Sequence, residues 1–425
     1  MAVEWGTATK EEVESRVDVH EEGLVEAPGA VFSQATAAAL EPLAIAGSDQ
    51  RLATRELVLS RRDKRVGRTL EERLTLPHVE STAVAGQDAL FGEQPVTPVS
   101  TLDRIISWIS EADGPLGPLT TPERLPAAVH RAPGRAGVRE RAVAMGPGRL
   151  FGMVSEPEGD IDPSAPTVVF LNVGLIGHHG PGRLWVELAR AAAATGRVRC
   201  LRVDLSGLGD SPTRPGRTEM TDFPLDAPED MDDIRQLAGA DAAPLIVMGV
   251  CSGADHAIEM ALADPVASIC LINPALSFMK WGGGRDTAPS EPATWGATGP
   301  LLSRAMARLE PFRGLTRWIP APGWWMVKRW FMTSSPVRTM EHLEQTGVDV
   351  LVVVGSGEAR RVYRGEQHRL HSLVARGGVH LETVPHLDHS LLERTSHDRV
   401  AELFGAYVTR RAAELSGATA ALARP

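Results

Sequence analysis

The chain has 425 residues, 43% of them hydrophobic, with 9 Phe, 9 Trp and 2 Tyr; this composition suits a folded protein with one large elaborated domain or two domains and excludes wholesale disorder. The formal net charge of −10 argues against nucleic acid as a partner, because phosphate binding needs a basic surface. Three cysteines, Cys200, Cys251 and Cys270, make neither a disulfide scaffold nor a CxxC zinc site.

The N-terminal stretch MAVEWGTATKEEVESR is acidic and has no apolar signal-peptide core, and the apolar runs fall short of the ~20 residues a membrane helix needs. A soluble, cytoplasmic protein without a membrane span is expected. Residues 1–136 are uneven in texture and are expected to form a partly helical N-terminal extension of unassigned role. Within it, TLDRIISWISEA (101–112) predicts an amphipathic helix capped by Ser100 or Thr101, with Leu102, Ile105, Ile106 and Ile109 on one face.

From residue 138 strands and helices alternate. Segments 138–145 and 149–157 flank Gly146, Pro147 and Gly148 and predict a hairpin. A buried strand is predicted over 166–174, a continuous apolar run rich in β-branched residues, and further strands over 198–207, 244–250, 267–275 and 348–355. Helices are predicted over 184–196, 231–239, 252–265 and 397–414. Such alternation gives an α/β fold, a mostly parallel sheet covered by helices on both faces. The core is expected over 137–276 and 341–425. Between them, 277–340 holds six of the nine Trp and is expected to form a cap over the strand ends.

The chemistry concentrates at Gly249-Val250-Cys251-Ser252-Gly253, between a hydrophobic strand and a helix. This is the G-x-Nu-x-G elbow with cysteine as nucleophile. A tight strand-to-helix turn strains the nucleophile's backbone, the glycines relieve crowding, and the helix N-terminus favours thiolate and oxyanion. Read with Ser252 as nucleophile, the small flanks would be Val250 and Ala254, a poorer fit. With Cys251 as nucleophile, the N–H of Ser252 is a natural oxyanion donor. Cys200 and Cys270 sit inside apolar strands and read as structural.

Three marks in this order resemble the α/β-hydrolase superfamily over residues 138–412: the turn Asp204-Leu-Ser-Gly207-Leu-Gly209-Asp210-Ser211, the elbow, and His389 in LDHSLLER before a final helix. FLNVGLIGHHGPGRLWVELAR together with GVCSGAD resembles the exosortase-associated hydrolases. Cysteine at the elbow is similar to dienelactone hydrolases, polyhydroxyalkanoate synthases, cyclising thioesterases and Dieckmann-type cyclases.

The resemblance implies a role for each further residue. His389 is the general base for Cys251, and its neighbour His386 is structural or lines the pocket. The acid or amide that orients His389 is either Glu358, after the 348–355 strand, or Asn273, after the 267–275 strand. The loop after the 166–174 strand supplies the second oxyanion N–H, with Gly174 and Leu175 as the donors. Arg183 lies near the same mouth, where it either holds an anionic group or stays solvated. His178 and His179 in that loop are not expected to bind metal, and Asp204, Asp210 and Ser211 shape a turn.

No dinucleotide fingerprint, P-loop or metal motif is visible, so no cofactor and no metal are expected. The function implied is a cysteine-dependent enzyme that takes an acyl group from an ester or thioester, free or carrier-protein-bound, and passes it on by transfer, cyclising release or hydrolysis. Dienelactone-type ring opening, a non-covalent lyase and a non-catalytic binding protein are the alternatives. Retention of Cys251 and His389 speaks against the last.

Overall fold

The computed structural model describes residues 24–27, 30–40, 51, 53–62, 64–87, 98–111, 128–131, 136–145, 150–216, 219–220, 227–238, 243–263, 266–274, 336–357, 359, 363, 366–391 and 393–422. The chain divides into two compact units. The expected cap lies outside the described residues, except that Pro336–Gln345 forms a helix.

The larger unit carries a nine-stranded sheet. Its strands are β5 (Ala128–His130), β6 (Val138–Met145), β7 (Leu150–Pro157), β8 (Thr167–Phe170), β9 (Arg199–Val203), β10 (Leu245–Val250), β11 (Ser268–Ile272), β12 (Asp349–Gly355) and β13 (Val379–Val384). They lie in the order β13-β12-β11-β10-β8-β9-β7-β6-β5. From β13 to β9 neighbours run parallel, and β7, β6 and β5 continue antiparallel. The sheet therefore begins at Ala128, inside the segment expected to be an extension. The first strand of the hairpin expected from Gly146-Pro147-Gly148 pairs Val138 with Pro157 and Met145 with Leu150.

Side chains alternate across the pleat, so each central strand feeds two cores. Val169, Val247, Leu271 and Val352 point to one face. Helices α5 (Ala227–Ala238), α6 (Ser252–Ala263), α7 (Pro336–Gln345) and α8 (Gln367–Arg376) bring Ile234, Ala257, Met340 and Leu373 to it. Val168, Phe170, Met248 and Val353 point to the other face, where α4 (Leu184–Ala193) and α9 (Arg394–Leu422) bring Trp185, Leu188 and Phe404. This two-sided burial explains why the central strands read as unbroken apolar runs. Trp185 is fully buried and donates from Nε1 to the Leu171 carbonyl at 2.9 Å, which satisfies its one polar atom.

Glu140 on β6 is buried, yet it accepts from Ser155 Oγ and Arg202 Nη2, both at 2.9 Å, and from Arg190 Nε at 2.8 Å. Burial pushes its pKa up, but the bonds from Arg190, Ser155 and Arg202 outweigh that and hold it below the ordinary carboxylate range.

The smaller unit has its own parallel pair, β3 (Glu56–Arg61) and β4 (Val79–Val84), joined through α2 (Arg68–Arg73) and followed by α3 (Val99–Ser110). The chain before it forms a short pair, β1 (Leu24–Ala27) and β2 (Ala30–Ser33), and α1 (Gln34–Leu40). Glu80 anchors α3 to this pair by accepting from Trp108 Nε1 at 3.0 Å and Arg104 Nη2 at 3.2 Å. The cap of α3 differs from expectation. Pro98 occupies the N-cap position, and Ser100 and Thr101 lie in the first turn, where Ser100 Oγ donates to the Ala85 carbonyl. Proline is well suited there because it starts the helix without an N–H to satisfy.

Candidate active site

The parallel strands β8 to β13 end on one edge of the sheet, and the chemistry-bearing residues follow those ends: Asn172 and His178 after β8, Asp204 after β9, Cys251 after β10, Asn273 after β11 and His389 after β13. Open α/β sheets place their sites at this edge.

Cys251 stands between β10 and α6 with φ 51°, a left-handed conformation that a non-glycine residue adopts only where its surroundings impose it. Its N–H donates to the Ile272 carbonyl at 3.1 Å, and its carbonyl accepts from Ala254 and Asp255. The flanking glycines are required sterically. A Cβ on Gly249 would lie 2.1 Å from the Gly253 backbone, and one on Gly253 would lie 2.2 Å from the Asn172 carbonyl oxygen. Cys251 is half-buried, whereas Cys200 and Cys270 are fully buried and burial pushes their thiols up to about 12.

Ser252 is 1% exposed, and its hydroxyl accepts a hydrogen bond from the Gly174 N–H at 2.9 Å. The side chain of Ser252 is thus buried and tied to the 173–176 turn, whereas that of Cys251 is half-buried. The same bond corrects the reading of Gly174 as an oxyanion donor, because its N–H is already taken. Gly174 has φ 53° and sits in a tight turn closed by Ile176 N–H to the Val173 carbonyl at 2.9 Å. Leu175 follows in that turn. Among the described residues no acceptor takes the N–H of Leu175 or of Ser252.

Asn273 also differs from expectation. Its φ is 42°, its Oδ1 accepts from the Gly355 N–H at 3.1 Å, and its Nδ2 donates to the carbonyls of Asp388 at 3.2 Å and His389 at 3.3 Å. The amide thus holds the backbone of the histidine loop to the end of β12 and does not reach the imidazole. Glu358, the other orienting candidate, lies outside the described residues. His386 is exposed, with φ 57°, in the turn after β13, so it is not a packed structural residue. Arg183 caps α4 with φ 68° and lines a groove between α4 and α9 together with Glu187, Arg394 and Asp398. Neither Cys251 nor His389 is among the described residues that line that groove.

Sequence reasoning missed the polar network beside the elbow. Asp204 is fully buried, and its carboxylate accepts from Asn172 Nδ2 at 2.8 Å, His178 Nδ1 at 2.8 Å and the Asp210 N–H at 3.0 Å. Burial pushes its pKa up, but the bonds from His178, Asp210 and Asn172 together bring it below the usual value. Ser211 Oγ donates to the Asp204 carbonyl and accepts from the Phe151 N–H at 2.8 Å, as befits a turn-shaping residue. His178, Asp204 and Asp210 are close enough to share a cation, but Asp204 already accepts three hydrogen bonds, so an ion would have to displace the imidazole. Asn172, a polar residue inside an apolar strand run, is the sequence signal that could have tied the Asp204 turn to His178.

Residues 168–403 match the Alpha/beta hydrolase family. The chain belongs to the alpha/beta hydrolase family. Comparison with solved structures finds a dienelactone hydrolase from Anabaena variabilis at 14% identity, covering 65% of this chain and 98% of that one with a TM-score of 0.39. It also finds a proline iminopeptidase from Mycobacterium smegmatis at 15% identity, covering 65% and 99% with a TM-score of 0.39. No curated protein matches the chain. Among the described residues of this alpha/beta hydrolase no helix is long and apolar enough to cross a membrane.

Proposed function

We propose that this alpha/beta hydrolase is an acyl-transfer enzyme with Cys251 as its nucleophile and His389 as its base. The observation that carries the reading is the left-handed Cys251, held between β10 and α6 by glycines that admit no Cβ. A fold holds a half-buried thiol in a strained turn at a helix N-terminus when the thiol has a task.

In this reading the Cys251 sulfur adds to the carbonyl carbon of an ester or thioester as His389 takes the thiol proton. The carbonyl oxygen becomes negative and is met by the Ser252 N–H at the helix N-terminus. The tetrahedral carbon then expels its alcohol or thiol, which takes the proton from His389, and the acyl group stays on sulfur. Water, an amine or a carbon nucleophile then adds to the thioester carbonyl carbon as His389 takes its proton, and Cys251 leaves as thiolate and regains that proton from His389. An enzyme thioester is more open to amines and carbon nucleophiles than an oxygen ester. Cysteine at the elbow therefore favours transfer or cyclising release over plain hydrolysis. The substrate is a small-molecule acyl ester or thioester, free or carried by a protein.

The test is intact-protein mass spectrometry after brief exposure to a panel of acyl thioesters. An adduct that maps to Cys251, is absent in Cys251→Ala, and decays faster with an amine than with water supports transfer. Decay in water alone assigns a hydrolase. A thiol that alkylates readily yet takes no acyl group overturns the acyl-enzyme reading in favour of lactone or non-acyl chemistry.

A further inference from the structure

Two side chains pin the 173–176 turn. Asn172 Nδ2 donates to the Ile176 carbonyl at 3.0 Å, and Ser252 Oγ accepts from the Gly174 N–H at 2.9 Å. Gly253 packs against the carbonyl of Asn172 with no room for a side chain, so the turn and the elbow are fitted to each other. Ser252 is 1% exposed, and solvent does not compete for its hydroxyl. The bond to Gly174 withdraws one N–H of the turn. Within the pinned segment the next N–H, that of Leu175, takes no acceptor among the described residues, as does the Ser252 N–H.

We infer that the Ser252 hydroxyl is a positioning residue that locks the 173–176 turn, making the Leu175 N–H and not the Gly174 N–H the second donor to the developing oxyanion. This rests on the acyl-enzyme reading above. The residue after the nucleophile then acts twice: its N–H binds the oxyanion, and its hydroxyl sets the partner donor.

The test separates reactions that build an oxyanion from one that does not. Acylation by a thioester passes through a tetrahedral oxyanion; alkylation of the same thiol by iodoacetamide does not. In Ser252→Ala the inference expects acylation to slow by about 100-fold, the size of a lost oxyanion donor, through kcat with KM unchanged. Alkylation of Cys251 should stay within about twofold. Ser252→Thr, which keeps a hydroxyl, should recover most of the acylation rate. Leu175→Pro, which removes the assigned N–H, should repeat the acylation loss with alkylation intact. Ser252→Ala acylating at the wild-type rate overturns the inference. So does alkylation falling in parallel with acylation, because the hydroxyl then serves the thiol and not the oxyanion. Wild-type protein that alkylates at Cys251 but never acylates overturns the acyl-enzyme reading itself, a result visible before any variant is made.

Discussion

The side-chain amide of Asn273 donates to the backbone carbonyl of His389 at 3.3 Å, so it fixes where the histidine loop sits. This geometry separates two roles by the effect of one substitution. A residue that orients an imidazole works as well or better as a carboxylate. A residue that donates to carbonyls cannot, because a carboxylate oxygen would face the oxygens of Asp388 and His389. Asn273→Asp is therefore expected to be worse than Asn273→Ala, with acylation rates down roughly 100-fold and 10-fold respectively. Single-turnover acylation of both variants checks this; an Asp variant as active as wild type would show that the residue serves the imidazole.

The three thiols differ enough in burial to be told apart chemically. Cys200 and Cys270 lie within β9 and β11, fully buried, and desolvation pushes each up to about 12, so neither forms thiolate at neutral pH. Cys251 is half-buried at a helix N-terminus. Native protein treated with iodoacetamide at pH 7.5 should take up one label per chain, at Cys251, and Cys251→Ala should take up none. Labelling in denaturant should reach all three. Rapid native labelling of a second site would mean the sheet opens locally.

Much of the site was legible because its constraints are local. The crowding of Gly249 against Gly253 acts across four residues, so the elbow shows in the sequence, and the apolar runs of β8 to β12 follow from burial on both faces. The edge strand β13 is only half-buried, and its VHLETV carries His380, Glu382 and Thr383, so it blurs into the polar helices around it. The small unit's β3 and β4 are hidden for the same reason. The Ser252 bond to Gly174 spans 78 residues and the Asn273 bond to His389 spans 116, distances at which no pattern in the chain reveals a partner. The partners of Glu140, Arg190 and Arg202, lie 50 and 62 residues away, so nothing near it in the chain marks it as buried.

That buried carboxylate gives a stability prediction. Removing Glu140 leaves the Arg202 guanidinium, itself 4% exposed in its side chain, without its counter-charge. Breaking a buried pair from one side costs about 3–5 kcal/mol, well beyond a surface salt bridge. Glu140→Ala should lower unfolding free energy by that amount in a urea titration. Removing both charges, as in Glu140→Leu with Arg202→Met, should cost less than the single change.

Asp204 predicts acid lability. Its folded-state pKa is depressed by the bonds from His178, Asp210 and Asn172. A depressed carboxyl contributes stability above its unfolded pKa of about 3.9, and loses it as pH falls through the lower folded value. Below about pH 4 the wild-type chain should therefore lose stability more steeply than Asp204→Asn. At pH 7 the variant should be weaker by roughly 3 kcal/mol, because its amide nitrogen meets donors where the carboxylate accepted them. Denaturant titrations at pH 3, 5 and 7 read both effects, and equal pH slopes would remove Asp204 as the acid-sensitive group.

Two glycines give opposite signs for the same substitution. Alanine at Gly253 would place Cβ 2.2 Å from the Asn172 carbonyl oxygen, a backbone atom held by β8. The elbow or the strand end has to move, and Gly253→Ala should cost about 3 kcal/mol or more and slow Cys251 acylation. Gly405 lies inside α9 with nothing within 4 Å of its added Cβ. There alanine removes only the helix penalty of glycine, so Gly405→Ala should stabilise by about 1 kcal/mol and leave acylation unchanged. Paired urea titrations decide the matter: a Gly253→Ala protein as stable and as reactive as wild type would mean that the elbow is not held against Asn172 in this way.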